Sequence, residues 1–367
     1  MASDEYAYPE LKKTHTMARK GRPWTDYKPP AAAPVWAVIE GYGRFHTLVA
    51  ALDLGVFDTL HELAAPTAGA ELADRLGVSA GHLTTLLEGL VAMGFVEHRG
   101  GLFELNDTAR RYLTSDGAAS MAALVPVAPG PLGNWDRLAE TVRRGMPARP
   151  IDDDPAAFYV PLVEGTFTTI LRAATRADRF VRYSALDAPR VLDLGAGGAP
   201  WAIAVLSACP GATAVVNDLP GVIDVAARKL AEHSVAERAE LRPGDYFEID
   251  LEPEAFDVVV LGHVCRAEGP ERAQQLIERA FAALRPGGLV VLSDYFADRQ
   301  RAHAGHALMM GVTMMASTRR GGVPTFGEAS GWLRTAGFEA VRLIEPIGFQ
   351  FAFVARKPSS PLKEDHV

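Results

Sequence analysis

Cysteine is scarce in this chain of 367 residues, which contains two, Cys209 and Cys265. Two cysteines cannot build a disulfide framework, so the sequence fits a reducing compartment. A continuous apolar run of about 18 residues, which a membrane-spanning helix needs, is also absent. The first residues include Asp4 and Glu5 and lead into no apolar segment of the kind that a secretory signal has. We therefore expect a soluble, cytoplasmic protein that does not bind membranes.

The chain has fewer basic than acidic residues, with 37 Lys and Arg and 45 Asp and Glu. Nucleic acids and anionic lipids bind through clustered positive charge, so the net charge of −8 disfavours both as partners. The apolar fraction of 48% is typical of a folded globular protein. The length corresponds to about two domains.

Residues 35–115 show the pattern of a winged helix. The apolar spacing predicts one helix over 70–76 and another over 81–93, with Ser79 as the N-cap of the second. A β-hairpin is predicted over 95–105. Two helices followed by a hairpin wing are typical of DNA-binding proteins.

Local charge argues against DNA recognition by this segment. The second helix has no Lys or Arg, and residues 69–112 contain six acidic and four basic side chains. Contacts to phosphates supply most of the affinity of such proteins for DNA. We therefore interpret the winged helix as a packing and dimerisation module, and a DNA-binding regulator is the less favoured alternative.

From Arg190 onward, short apolar strands alternate with helices, which predicts a doubly wound α/β sheet. Ligands of such sheets bind at the carboxyl ends of the strands. The first strand runs into a turn that contains Gly195 and Gly197. A dinucleotide-binding loop would place a third glycine three residues after Gly197, where this chain has Pro200.

Acidic and aromatic residues at the next strand ends favour S-adenosylmethionine (SAM) instead. Asp218 ends the second strand, where a carboxylate can accept hydrogen bonds from both ribose hydroxyls. Asp245 follows the third strand, where it can accept from the adenine amino group. The neighbouring Tyr246 or Phe247 can cover the adenine face. Each residue alone also fits a turn or a helix cap, but their order fits a SAM site.

The ordered motifs resemble bacterial SAM-dependent small-molecule O-methyltransferases, related to the carminomycin and caffeate types. The segments that carry this resemblance are 191–198, 218–220, 244–247, 284–288 and 328–337. It implies a Rossmann-like α/β domain with a seven-stranded sheet that ends in an antiparallel hairpin, preceded by a mostly helical winged-helix domain that forms a homodimer. It also implies SAM as methyl donor, S-adenosylhomocysteine (SAH) as product, and an aromatic secondary metabolite, as in antibiotic biosynthesis, as acceptor.

The resemblance also implies domain boundaries and the residues of the binding sites. We expect an N-terminal arm (1–34), a dimerisation domain (35–115), a helical linker and substrate-pocket region (116–184), a SAM-binding domain (185–357) and a flexible tail (358–367). The expected cofactor-binding residues are Asp193, Gly195, Gly197, Asp218, Leu219, Asp245, Tyr246, Phe247 and Gly262. The expected substrate-pocket residues are Trp135, Phe158, Tyr159, His306, Met309, Met310 and Met314.

The chain departs from this family at the catalytic position. The histidine that serves as general base in the family falls on Arg266, and the tryptophan two residues later falls on Glu268. An arginine stays protonated, so it cannot remove a proton, but it can hold an anionic or carbonyl oxygen.

Three alternatives remain open for the missing base. Another side chain could be the base, and the candidates are His263, Glu268, His303 and His306. The acceptor could need no strong base, or the reaction could be a ring closure, hydroxylation or pericyclic step with SAM bound. A metal at His303 and His306 lacks a carboxylate ligand, so we expect none.

Overall fold

The computed structural model describes residues 31–130, 132–301, 305–347 and 350–359. They form two compact units that meet at Pro126 and Val127, a boundary inside the predicted linker and pocket region. The predicted arm lies outside the described residues up to residue 30, and its end already belongs to a helix that begins at Ala33. Most of the predicted tail also lies outside them. No described helix combines the length and the apolarity needed to cross a membrane.

The first unit is mostly helical and carries a small antiparallel sheet with the strand order β1-β3-β2. Its elements are α1 (Ala33–Asp53), α2 (Val56–Leu63), β1 (Thr67–Ala68), α3 (Gly69–Leu76), α4 (Ala80–Ala92), β2 (Val96–Arg99), β3 (Leu102–Leu105) and α5 (Asp107–Tyr112). The predicted helices and hairpin are therefore present, and β1 is an addition. Phe57, Leu72, Leu87 and Phe103 are buried together in the core of this unit.

Ser79 occupies the N-cap position of α4 but does not cap its backbone. Its hydroxyl lies 2.9 Å from His82 Nδ1 instead. The predicted N-cap position is therefore confirmed, although a side chain one turn into the helix competes for the Ser79 hydroxyl.

Helix α1 presents apolar side chains to solvent. Val35, Trp36, Val38, Ile39 and Tyr42 are between 54% and 79% exposed. A contiguous exposed apolar surface is typical of a protein–protein interface, which agrees with the predicted dimerisation role of this unit.

The second unit is a helical segment followed by an α/β sheet. Its helices are α6 (Leu132–Trp135), α7 (Leu138–Arg144), α8 (Pro155–Val181), α9 (Pro200–Ala208), α10 (Val222–Glu232), α11 (Cys265–Glu268), α12 (Pro270–Ala283), α13 (Gly305–Ser317) and α14 (Phe326–Thr335). Its strands are β4 (Arg190–Leu194), β5 (Thr213–Asp218), β6 (Ala239–Pro243), β7 (Phe256–Gly262), β8 (Leu284–Asp294), β9 (Glu339–Ile347) and β10 (Gln350–Arg356).

The sheet has seven strands in the order β6-β5-β4-β7-β8-β10-β9. Neighbouring strands from β6 to β8 pair in parallel, whereas β10 is antiparallel to both β8 and β9. The predicted seven-stranded sheet with its antiparallel hairpin is therefore confirmed.

Helices cover both faces of the sheet. On one face α8, α9 and α10 contribute Phe167, Trp201 and Leu230 to an apolar cluster. On the other face α12 and α14 contribute Leu276 and Leu333 to a second cluster. Because central strands are buried on both faces, they consist of almost continuous runs of aliphatic residues.

Two element boundaries have an identifiable local cause. A tight turn, in which the Arg137 N–H donates to the Asn134 carbonyl, separates α6 from α7. Strand β8 begins at Leu284, because Leu284 already pairs with Phe256 of β7.

We expect Leu276→Ala to lower the free energy of unfolding by about 2–5 kcal/mol, because the Leu276 side chain is fully buried in α12. The matched control is Leu343→Ala in β9, where the side chain is 46% exposed, and its effect should stay within about 0.5 kcal/mol. Urea denaturation followed by circular dichroism measures both values. Equal effects of the two substitutions would contradict the assignment of the core.

Candidate active site

Four parallel strands end at the same edge of the sheet. The register pairs Leu194 of β4 with Asn217 of β5 and with Leu261 of β7, and it pairs Gly262 with Ser293 of β8. The residues that follow these strands are therefore neighbours in space, which is the place where open α/β sheets bind ligands.

The turn after β4 and the end of β5 are joined through one carboxylate. Gly195 and Gly197 have positive φ angles of 63° and 58°, which glycine adopts without strain. The Gly197 N–H donates to Asp218 Oδ2 at 2.7 Å, and the Leu219 N–H donates to Asp218 Oδ1 at 2.7 Å. Each carboxylate oxygen keeps a free lone pair, so Asp218 can accept from two adjacent hydroxyls. Burial raises the pKa of Asp218 to about 6.

Asp193 lies beneath this turn and is 1% exposed. Its Oδ2 accepts from the Ala202 N–H at 3.1 Å, in the first turn of α9. Burial raises its pKa to about 7. Asp193 therefore fixes α9 against the turn, and its expected contact with the cofactor stays a prediction.

The segment after β6 contains the expected acidic and aromatic residues. Asp245 Oδ1 accepts from the Phe247 N–H at 2.8 Å, which closes a short turn. The Tyr246 hydroxyl donates to Glu268 Oε1 at 2.5 Å, and the Arg272 guanidinium lies 3.9 Å from the centre of the Phe247 ring.

Glu268, one of the expected proton acceptors, is held by this group of residues. Tyr246 donates to one of its carboxylate oxygens and Arg272 to the other. Both carboxylate oxygens of Glu268 are therefore engaged within the protein. Its role as a proton acceptor stays a prediction.

Arg266, in α11, forms a buried ion pair that sequence reasoning missed. Its backbone N–H donates to Asp294 Oδ2 at 3.1 Å, and its Nη1 donates to Asp294 Oδ1 at 2.9 Å. Nη1 also donates to the His263 carbonyl at 2.9 Å. Burial alone would raise the pKa of Asp294, but the neighbouring Arg266 and His263 together outweigh burial and lower the pKa to about 2. Asp294 is the last residue of β8. The rule that acidic residues at strand ends can be functional, which predicted Asp218, therefore applies to Asp294 as well.

His263 follows Gly262 at the end of β7 and adopts a left-handed backbone with φ of 65°. Non-glycine residues in this region are strained and often lie at functional sites. Its side chain is 9% exposed, and Nδ1 lies 3.7 Å from Asp294 Oδ1, beyond a hydrogen bond. Neither ring nitrogen has a hydrogen-bond partner among the residues that the structure describes.

Tyr295 connects these groups to α13. Its ring lies 5.6 Å from the His263 ring, 5.3 Å from the His306 ring and 5.4 Å from the Arg266 guanidinium. Partial burial lowers the pKa of His306. His303 lies outside the described residues.

Helix α8 covers the glycine turn. Cβ atoms built on Gly197 and Gly198 would come within 3.0 Å of Val163 and 2.9 Å of Phe167, so the helix packs directly on the turn. Tyr159 stands one helical turn before Val163 on the same face. Burial raises the pKa of Tyr159 to about 12, although the Arg266 charge acts in the opposite direction.

The remaining expected pocket residues surround α13. A Cβ on Gly130 would lie 3.7 Å from Phe158 and 3.6 Å from Ser317. The Trp135 Nε1–H donates to the Pro129 carbonyl at 2.5 Å.

The methionines of α13 differ in exposure. Met314 is buried, Met310 packs like Tyr295 against a small cluster that contains Ala307, and Met309 is 57% exposed. Their role as a pocket lining stays a prediction. No group of three or more His, Cys, Asp or Glu side chains in the described part of the chain could hold a metal ion.

Sequence comparison identifies the family. A profile of the O-methyltransferase domain matches residues 171–339, and a profile of the O-methyltransferase dimerisation domain matches residues 36–115. The chain belongs to the O-methyltransferase family. It is therefore a SAM-dependent methyltransferase, and the dimerisation domain supports a homodimer.

Characterised relatives of this O-methyltransferase cover most of its length. The 3-hydroxy-5-methyl-1-naphthoate 3-O-methyltransferase of Streptomyces sahachiroi is 29% identical over 83% of this chain and 88% of its own. The acetylserotonin O-methyltransferase of Bos taurus is 29% identical over 86% and 95%. The fold matches human N-acetylserotonin methyltransferase in complex with SAM, with a TM-score of 0.77, 24% identity, and coverage of 91% and 99%.

The residues of this O-methyltransferase fit SAM. Asp218 offers two acceptor positions to a diol. Gly195 and Gly197 leave the turn without side chains of its own, and a Cβ on Gly195 would collide with Val264. Three buried nitrogens lie near Gly262, namely the Trp201 Nε1 and both ring nitrogens of His263. None of them has a hydrogen-bond partner among the described residues. Unpaired buried polar atoms are costly, which is typical of sites that a ligand completes.

We expect the affinity for SAH to increase as the pH rises through about 6. Protonated Asp218 is a poorer acceptor for the ribose hydroxyls, and its pKa of about 6 places the change there. Isothermal titration calorimetry between about pH 5 and about pH 8 measures this dependence.

Asp218→Asn should weaken SAH binding about tenfold or more at the upper pH and should remove the pH step. Asp224→Asn is the matched control, because Asp224 is exposed on α10. A wild-type affinity that does not change with pH, or a step that persists in Asp218→Asn, would contradict the assignment of Asp218.

Proposed function

We propose that the enzyme transfers a methyl group from SAM to an oxygen or nitrogen atom of an aromatic or polycyclic secondary metabolite. The observation that carries this proposal is the set of aromatic and methionine side chains on the elements that follow or cover the strand ends. Phe158 and Tyr159 lie on α8, which packs on the glycine turn, Tyr295 follows β8, and Met310 lies on α13. The names of the two relatives above refer to a hydroxynaphthoate and to acetylserotonin, both aromatic.

We assign the residues of the donor site by the atoms that they offer. The backbone of Gly195 and Gly197 receives the methionine end, with Gly262 close to it. Asp218 and the adjoining Leu219 hold the ribose. When bound, SAM supplies an electrophilic methyl group on a sulfonium.

The adenine end is assigned to the segment after β6. Asp245 keeps an accessible carboxylate for the adenine amino group, because its hydrogen bond to Phe247 uses one oxygen. Arg272 already covers part of the Phe247 ring, so Tyr246 is the favoured partner for the adenine face.

The acceptor side is assigned to α11 and its surroundings. Arg266 orients the acceptor, and Asp294 holds Arg266 in place. His263 borders the acceptor side with both ring nitrogens unpaired among the described residues, and Glu268 is engaged by Tyr246. His306, Trp135, Met309 and Met314 stay candidates for the pocket wall.

A second candidate function is a non-methylating reaction on SAM-bound enzyme, such as a ring closure. The observation that favours it is Arg266 at the position of the family's histidine, because a cationic side chain can stabilise developing negative charge without moving a proton.

Mass spectrometry of the dimer incubated with SAM and a panel of hydroxylated naphthoates and anthraquinones separates the two reactions. We expect a product that has gained one methyl group, together with an equimolar amount of SAH. An isomer of unchanged mass, with SAM unconsumed, would replace methyl transfer by the second candidate.

We expect Arg266→Ala and His263→Ala each to reduce kcat/KM by more than about tenfold, which corresponds to roughly 1.4 kcal/mol of barrier. Steady-state kinetics on the methylated acceptor measures the effect, and unchanged SAH affinity is the control for folding. If neither substitution reaches tenfold, the acceptor-side assignment is wrong.

A further inference from the structure

The Arg266 guanidinium has N–H donors that the protein does not use. Arginine carries five such donors. Nη1 uses both of its N–H groups, because it donates to the His263 carbonyl and to Asp294 Oδ1. Nε is buried without a partner. Nη2 makes no hydrogen bond to any described residue, and the Arg266 side chain as a whole is 14% exposed.

Neither member of the ion pair can act as a base. Arginine stays protonated at any working pH. Asp294 is 0% exposed and accepts from the Arg266 backbone, from Arg266 Nη1 and from the Tyr295 N–H. Three donors on a buried carboxylate keep it ionised, and they leave little room for a proton from a substrate.

The other titratable groups near Arg266 are also poorly suited. Glu268 is bound by Tyr246 and Arg272, and burial keeps the Tyr159 hydroxyl neutral with its pKa near 12. His263 is almost fully enclosed and has its Nδ1 directed toward the Asp294 carboxylate at 3.7 Å. The acceptor site therefore offers a fixed cation with free donors and no evident base.

We infer that the acceptor of this methyltransferase is an oxygen acid that is already ionised at neutral pH, and that Arg266 Nη2 binds its oxyanion. Acidic enols and phenols conjugated to a carbonyl, such as hydroxyquinones, have this chemistry. Asp294 is the positioning residue, because its two oxygens fix the backbone and the guanidinium of Arg266 together. The inference rests on the proposed function and adds the class of acceptor.

This chemistry balances without a proton acceptor. A lone pair of the acceptor oxyanion forms the new bond to the methyl carbon, while the sulfur–methyl bond breaks and its electron pair stays on sulfur. One anion and one sulfonium cation become a neutral ether and a neutral thioether. Since no proton is released, the replacement of the family's histidine by arginine costs this reaction nothing and strengthens binding of the anion.

Binding to the complex with SAH tests the inference without turnover. The probes are 2-hydroxy-1,4-naphthoquinone, an enol that is an anion at neutral pH, and 2-naphthol, a phenol of similar size that is neutral there. We expect the hydroxyquinone to bind at least about tenfold more tightly by calorimetry. Arg266→Ala should weaken it about tenfold or more and should change naphthol binding less than about twofold.

Two further variants separate the charge from the fold. Arg334→Ala is the matched control, because Arg334 is exposed on α14, and it should leave both affinities unchanged. Asp294→Asn should weaken hydroxyquinone binding selectively, while the affinity for SAH is retained. If Asp294 had only a structural role, its substitution would not produce this selective loss.

Equal affinities of the two probes would overturn the inference. The inference would also be overturned if Arg266→Ala lowered the affinity for both probes equally, or if the hydroxyquinone did not bind detectably to the SAH complex. Loss of SAH binding by the wild-type protein would instead contradict the proposed function itself, so the two failures are distinguishable.

Discussion

The parallel alignment of β6, β5, β4, β7 and β8 is the constraint on which the site depends. Parallel strands bring their carboxyl ends to one edge, so residues up to about 100 positions apart in the chain become neighbours there. Asp218 reaches back to the glycine turn after β4, and Asp294 reaches the start of α11 after β7. Each of these carboxylates bonds backbone N–H groups of an adjacent segment, which fixes the loops as well as the charges. The helical segment before the sheet then covers this edge through Val163 and Phe167.

The Arg266–Asp294 pair has a different energetic basis from the surface ion pairs. Removing both charges from water is costly, and the gain depends on good geometry and on additional hydrogen bonds. Here the carboxylate is fully satisfied, whereas the guanidinium is not. A buried ion pair in which one partner lacks hydrogen bonds contributes little to stability, because each unpaired buried donor costs free energy. A function that uses the spare donors accounts for this arrangement, and the buried unpaired nitrogens of His263 and Trp201 lie near the same edge.

Sequence reasoning found the sheet, its hairpin and the winged helix because their apolar periodicity is local. It also placed Asp218 and Asp245 at the carboxyl ends of two strands, since an acid after a predicted strand has a known position in this fold. It missed Asp294 as a partner of Arg266, because that pairing depends on the order of strands in space. The burial of Asp193, the engagement of Glu268 by Arg272, and the break between α6 and α7 depend on tertiary contacts too. The choice between Arg266 and His263 as the decisive acceptor-side residue also required the distances.

The pH dependence of methylation, measured on a series of acceptors that differ in acidity, distinguishes an oxyanion bound by Arg266 from a side chain that removes a proton. If the enzyme lacks a general base and binds an ionised oxygen, the rising limb of kcat/KM against pH moves with the pKa of each acceptor. A limb that stays at one pH for every acceptor would report a titrating side chain of the enzyme, such as His263. That result would contradict the account of Arg266 as the binding group of a base-free methyltransferase.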